Sequence, residues 1–191
     1  MSAGAEAVVI GASAGAVDAL SAVLPALPKG YPLPVMVVVH LPPDKKSVMA
    51  ELFRGKCAVD VREADDKEPL TGGTVYFAPP DYHLLVEPDR RLSLSSEEQV
   101  HFSRPSVDVL FESAADVFGP GLVGVVLTGA NADGARGLRA VLAAGGTGLV
   151  QAPTTAAATA MPLAALAAHP AARALTLDQI AAHLRELGGT S

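Results

Sequence analysis

Apolar residues along this chain fall into two patterns. Short continuous runs end in glycine, histidine or a polar loop, and between them lie longer stretches whose apolar positions recur at helical spacing. Residues 7–11 form the first short run, ending at Gly11, and residues 16–24 follow with helical spacing until Pro25, Pro28 and Gly30 stop them. This predicts strand, turn, helix. Residues 35–40 repeat the pattern with a Val- and Met-rich run closed by His40, then Leu41, Pro42 and Pro43 and a predicted helix over 47–54. A shorter run covers 59–62.

The middle of the chain changes character. Gly72 and Gly73 open a run over 74–78, Pro79, Pro80 and Asp81 form a turn signal, and runs at 84–87 and 92–95 flank Pro88, Asp89 and Arg90. Residues 74–95 are therefore expected to form antiparallel hairpins. A helix is predicted over 106–118, with Ser103 or Pro105 marking its start, then a strand over 123–127, a helix over 134–144 and a strand over 148–151. The remainder reads as helical to Leu187. Strands that are apolar at every position are buried on both faces. Alternating with helices, they predict an α/β fold: a doubly wound, mostly parallel sheet flanked by helices, with an antiparallel β-hairpin appendage at the sheet edge.

Composition narrows the function. With 191 residues, 50% hydrophobic and 18% charged, the chain has material for one domain over 1–191. A net charge of -6, 4% aromatics and no Trp remove the basic footprint and stacking platforms of a nucleic-acid binder, so no nucleic acid partner is expected. Cys57 is the single cysteine, which excludes an intrachain disulfide and a cysteine-based zinc site and fits a reducing compartment. The amino terminus lacks a basic region, and the Ala-rich stretch at 156–168 falls short of the roughly 20 apolar residues of a membrane span. A cytoplasmic protein with no direct membrane insertion is expected.

In a doubly wound sheet, function gathers beyond the carboxyl ends of the strands, and three such ends carry suggestive residues. The first reads Gly11-Ala12-Ser13-Ala14-Gly15, a G-x-S-x-G turn between strand and helix that would present Ser13 above the sheet; a helix cap or phosphate cradle has the same appearance. The second ends in His40, where a dinucleotide fold would place an acidic residue; an imidazole there suits a general base for Ser13 or a histidine bonded to backbone. The third leads through Gly129, Ala130 and Asn131 to Asp133, which would orient His40 or cap the helix starting near Gly134. Singly, each bland reading is the better one. Together, Ser, His and Asp at three strand ends form an acyl-transfer constellation, with backbone amides of Ala14 and of Gly129, Ala130 and Asn131 as oxyanion-hole candidates.

These residues, with Val38-Val39-His40-Leu41-Pro42, Ala78-Pro79-Pro80-Asp81-Tyr82-His83, Ser103-Arg104-Pro105-Ser106-Val107-Asp108 and Val126-Leu127-Thr128-Gly129, resemble the catalytic domain of the CheB-type chemotaxis receptor methylesterases. The resemblance covers nearly the whole chain. It implies that Ser13 is the nucleophile, His40 the base and Asp133 the acid of a catalytic triad. The reaction it implies is hydrolysis of glutamate methyl esters on methyl-accepting chemotaxis receptors, the protein substrate and partner. Methanol would be released, some receptor glutamines could be deamidated, and no metal or organic cofactor would be required. Ala16 and Ala130 depart from the glycine and methionine common in the family, which bears on specificity or rate rather than reaction type. The receiver domain usual in the family has no counterpart ahead of Ser13, so a single catalytic domain is the expectation, either a stand-alone form or a truncated one, acting at receptor arrays.

Two other classes remain open at this point: an idle scaffold of the same fold that docks on receptors, and a nucleotide binder using the Gly11 to Gly15 turn. His83 is expected to be structural, and His101, His169 and His183 lack metal-ligand spacing. Asp65, Asp66, Lys67 and Glu68 read as a solvated loop, and Arg104 as a carboxylate partner near the site or a loop anchor.

Overall fold

The computed structural model describes residues 4–42 and 47–189. Pro43 and residues 1–3, used in the sequence reading, lie outside them. Seven strands make one sheet in the order β3-β4-β2-β1-β7-β8-β9. They are β1 (Ala7–Ala12), β2 (Val35–Val39), β3 (Asp60–Glu63), β4 (Thr74–Phe77), β7 (Leu122–Val126), β8 (Thr147–Gln151) and β9 (Arg173–Leu175). Every neighbouring pair is parallel. β5 (His83–Val86) and β6 (Leu92–Ser95) pair antiparallel as a separate two-stranded sheet. The helices are α1 (Ala16–Val23), α2 (Met49–Arg54), α3 (Val107–Phe118), α4 (Ala135–Ala143), α5 (Ala160–Ala168) and α6 (Leu177–Leu187).

The continuous apolar runs are explained by the two cores. In β1, Val8, Ile10 and Ala12 face a cluster with Leu20, Phe53 and Leu184, while Ala7 and Val9 face another with Leu110, Phe111 and Leu138. β2 divides in the same way: Val35, Val37 and Val39 go to one side, Met36 and Val38 to the other. Side chains alternate across a strand, so a sheet sandwiched between helix layers needs apolar residues at every position.

Two sequence expectations need correction. The run opening the region 74–95 is β4, a parallel strand of the main sheet inserted between β2 and β3, so only β5 and β6 form the antiparallel appendage. The hairpin adjoins the chain leaving edge strand β3, where Lys67 N–H donates to Leu92 O at 2.8 Å and Leu92 N–H to Glu68 O at 2.8 Å. The stretch beyond Gln151 contains β9, which continues the sheet beside β8. Its three residues are mostly exposed and include no β-branched side chain, so no periodic signal marks it.

This topology decides where the site lies. From β1 the chain builds outward through β2 to β4 and β3, then returns to the other side of β1 to add β7, β8 and β9. The reversal opens a crevice at the carboxyl ends of β2, β1 and β7.

Candidate active site

The three strand ends are tied together by backbone bonds. His40 N–H donates to Ala12 O at 3.1 Å, Leu127 N–H to Gly11 O at 2.9 Å and Ser13 N–H to Thr128 O at 2.9 Å. Ser13 therefore leaves β1 held on the β7 side, with His40 beside it on the β2 side. Ala16 N–H closes the turn on Ser13 O at 3.0 Å, and Gly15 adopts φ 84°, a left-handed conformation that favours glycine. A Cβ at Gly15 would stand 2.9 Å from Ala157 Cβ and 3.1 Å from Thr128 Cγ2, so space as well as torsion requires glycine there.

Thr128 and Gln151 secure this turn, and sequence reasoning gave neither a role. The Thr128 hydroxyl donates to Ala14 O at 2.8 Å, and Gln151 Oε1 accepts Thr128 N–H at 2.9 Å. Both side chains are buried, and each satisfies backbone groups that the loops leave unpaired. Thr128 lies within a quoted motif, but nothing in the sequence distinguishes Gln151 from any other polar strand end.

Asp133 is fully buried and holds His40 Nε2 at 2.7 Å from its Oδ2. The same Oδ2 accepts Val107 N–H at 2.7 Å, while Oδ1 accepts the Ser106 hydroxyl at 2.9 Å and Asp108 N–H at 3.0 Å. Asp133 thus caps α3, a helix distant in sequence. The helix it immediately precedes, α4, starts from Gly134 at φ 105° and gives no N–H to the Asp133 side chain. The local-cap alternative for Asp133 fails for that reason. Burial pushes the Asp133 pKa up, but the His40 hydrogen bond and the N–H groups of Asp108 and Val107 outweigh it and hold the carboxyl below the usual aspartate range.

Asp108 reciprocates from the first turn of α3. Its Oδ1 accepts Gly134 N–H at 2.9 Å and Gly137 N–H at 2.7 Å, fixing the start of α4. Burial foremost, with the Asp133 charge assisting, pushes the Asp108 carboxyl up against the pull of the Gly137 and Gly134 amides. His83 is also buried, with Nε2 bonded to Glu98 O at 2.8 Å and Nδ1 accepting Ser106 N–H at 3.2 Å. This bonding is that of a neutral imidazole, so His83 is structural and orients Ser106 beneath Asp133.

Ser13, Gly15, Val39, His40, Leu41 and Met49 line a cleft of about 260 Å³, open to solvent. Ser13 and His40 are half-buried there. Asp133 engages Nε2, so Nδ1 is the His40 nitrogen left for Ser13, whose hydroxyl makes no hydrogen bond among the described residues. Among the oxyanion-hole candidates, Gly129 N–H is committed to Ala158 O at 3.1 Å and cannot serve as a donor while that bond stands. Asn131 Oδ1 accepts Asp133 N–H at 3.0 Å and shapes the loop. The amides of Ala14, Ala130 and Asn131 have no acceptor among the described residues.

The remaining candidates fall outside the chemistry. Arg104 anchors a loop, giving Nε and Nη2 to Asp81 Oδ1 at 3.0 and 2.7 Å and Nη1 to the carbonyls of Ser96 and Glu97. His169 bonds locally to Ala171 N–H, and burial lowers the pKa of His183. No helix among the described residues is long and apolar enough to cross a membrane.

Comparison with known proteins adds to this geometry. Residues 8–184 match the family described as CheB methylesterase. A Leptospira interrogans serovar copenhageni protein named "Putative protein-glutamate methylesterase/protein-glutamine glutaminase" is 44% identical over 176 residues, which span 92% of this chain and 91% of that protein. A protein-glutamate methylesterase/protein-glutamine glutaminase of Symbiobacterium thermophilum is 38% identical over 174 residues, 91% of this chain and 48% of that protein. The crystal structure of the Thermotoga maritima CheB methylesterase catalytic domain matches with a TM-score of 0.91 at 31% identity, covering 97% of this chain and 100% of that one.

Proposed function

Because the chain belongs to the CheB methylesterase family, we propose that it is a serine hydrolase that removes methyl esters from glutamate side chains of methyl-accepting chemotaxis receptors. Ser13 Oγ attacks the ester carbonyl while His40 Nδ1 takes its proton. Asp133, bonded to Nε2–H, fixes the tautomer and stabilises the imidazolium. Amides of Ala14 and of the Ala130–Asn131 segment, which have no acceptor among the described residues, donate to the tetrahedral oxyanion in this reading. Collapse breaks the C–O bond to the methoxy group, which leaves as methanol with the proton from His40. Water, deprotonated by His40, then cleaves the acyl-serine and leaves a glutamate carboxylate. An amide in place of the ester leaves as ammonia by the same steps, which is glutaminase chemistry. The reaction is assigned to the cytoplasm, at receptor arrays where the substrate resides.

The observation that carries this reading is the 2.7 Å bond between His40 Nε2 and a fully buried Asp133 carboxylate, in the cleft wall that also holds Ser13. Three further donors hold that carboxylate ionised and fixed in orientation beside the imidazole, as the acid of a triad requires. The test is methanol release from receptor membranes carrying labelled methyl esters. Wild-type protein is expected to release methanol and Ser13→Ala to release none. Absence of release by folded wild-type protein would reduce the fold to a docking scaffold.

A further inference from the structure

The turn at residues 100–103 takes no part in the chemistry above. Val100 N–H donates to Ser103 O at 3.0 Å and Ser103 N–H to Val100 O at 2.9 Å, leaving two residues to make the reversal. His101 and Phe102 do so with φ of 50° and 61°, both left-handed, a conformation that tight hairpins usually give to Asn and Gly. His101 Nε2 lies 3.3 Å from Asp108 Oδ2, a buried oxygen with no hydrogen-bond partner, so the turn rests against α3. The result is a phenylalanine side chain held 97% exposed. A bulky apolar residue kept in an unfavourable backbone conformation and away from the core points to a contact with another molecule.

Its surroundings identify that molecule. Phe102 and Arg104 line a hollow with His40 and Leu41, and Phe102, His101 and Arg104 line the next. His101 in turn borders an alanine-floored groove of about 390 Å³ between α4 and α5, flanked by Arg136 and Arg139. Through the residues they share, the three hollows follow one another from the His40 side of the cleft to Arg139, and together they outline a trough. Arg104 is engaged by Asp81 and Arg136 by Glu112, whereas Arg139 has no carboxylate partner among the described residues. In a chain of net charge -6, an unpaired arginine at the end of a groove suits a carboxylate.

We infer that this trough seats the polypeptide segment carrying the scissile glutamate ester, with Phe102 as its apolar anchor and Arg139 as partner for another glutamate of the segment. The inference rests on the proposed methylesterase reaction, whose product leaves carboxylates on that same polypeptide. An aromatic on a turn whose backbone is pinned by two hydrogen bonds supplies contact area at the cleft mouth.

Kinetics on a methyl-esterified cytoplasmic fragment of a chemotaxis receptor test it. Phe102→Ala is expected to raise KM by about tenfold with kcat within about twofold of wild type, and Arg139→Ala to raise KM by roughly threefold, less so at high salt. The exposed ring contributes nothing to the core, so the unfolding temperature of Phe102→Ala stays at the wild-type value. A wild-type KM in Phe102→Ala, or a loss confined to kcat, overturns the inference. Calorimetric binding of the same fragment to Ser13→Ala and to Ser13→Ala/Phe102→Ala reads docking without turnover: affinity about tenfold weaker in the double variant supports the inference, and equal affinity overturns it. Failure of wild-type protein to release methanol would refute the proposed reaction by itself, since binding is read separately.

Discussion

Asp133 and Asp108 cap each other's helices. Asp133, on the loop before α4, accepts Asp108 N–H at 3.0 Å in the first turn of α3, and Asp108 Oδ1 accepts Gly134 N–H at 2.9 Å at the start of α4. Two helix amino termini thereby converge on two buried carboxylates, and helix dipoles add to the hydrogen bonds that hold the negative charge. Gly137 makes the approach of the helices possible, since a Cβ there would lie 2.7 Å from Phe111 Cβ and 3.0 Å from Asp108 Cα. Asp133 gains a fixed orientation toward His40 from this exchange, which a loop residue alone would lack.

Asp133→Asn should fold and lose about 10³ to 10⁴ in kcat. An amide nitrogen opposite His40 Nε2 selects the tautomer with hydrogen on Nδ1, which cannot accept a proton from Ser13. The check is steady-state turnover beside circular dichroism. Turnover near the wild-type rate would reduce Asp133 to a helix cap.

The two carboxylates should respond oppositely to pH. Asp133 has a lowered pKa, so its stabilisation is complete above the unfolded value of about 3.9 and is lost as pH falls through its folded value. Asp108 has a raised pKa, so its ionised form costs stability at neutral pH, and that cost fades as pH falls through its folded value toward the unfolded one. In thermal unfolding from pH 3 to 8, Asp133→Asn should lower Tm at pH 7 while Asp108→Asn leaves it equal or higher, with both differences shrinking toward pH 3. A large Tm loss at pH 7 in Asp108→Asn would contradict this assignment.

Ser106→Ala removes the hydroxyl donor to Asp133 Oδ1 and keeps the Asp108 and Val107 amides. One net hydrogen bond to a charged group is worth about 1.5–3 kcal/mol. A fall in kcat of roughly tenfold with little change in KM is expected, because Ser106 acts on His40 through Asp133. A rise in KM at constant kcat would instead place Ser106 in substrate binding.

Gly15, Gly30 and Gly55 separate torsion from space. Gly15 combines φ 84° with a blocked Cβ position, Gly30 has φ 82° with open space, and Gly55 has φ -80° with open space. Alanine at Gly55 should be nearly neutral, at Gly30 destabilising by about 1 kcal/mol, and at Gly15 by more, with activity lost only at Gly15. Denaturant titrations of the three variants provide the check. Equal losses at Gly15 and Gly30 would mean that Ala157 and Thr128 yield readily.

Much of the fold was legible because its strands are buried on both faces: β1, β2 and β7 are unbroken apolar runs, and their ends placed Ser13, His40 and Asp133 at one sheet edge. What stayed hidden depends on partners distant in sequence. Thr74–Phe77 reads like a hairpin strand, and only its insertion between β2 and β3 makes it parallel. Arg173–Leu175 is too short and exposed for an alternation signal. Ser106 and Asp108 read as a helix start, yet both side chains serve the loop that carries Asp133. Gly129 is an oxyanion-hole candidate in the sequence, yet its N–H goes to Ala158 O, in a loop with no sequence signature.

The most direct test of the site is phosphonylation by a fluorophosphonate, with the adduct mapped by mass spectrometry in wild type and His40→Ala. Activation of Ser13 by His40 predicts a single adduct on Ser13 in wild type and labelling slower by at least about 10³ in His40→Ala. An adduct on another residue, or equally fast labelling of Ser13 without the imidazole, would contradict it.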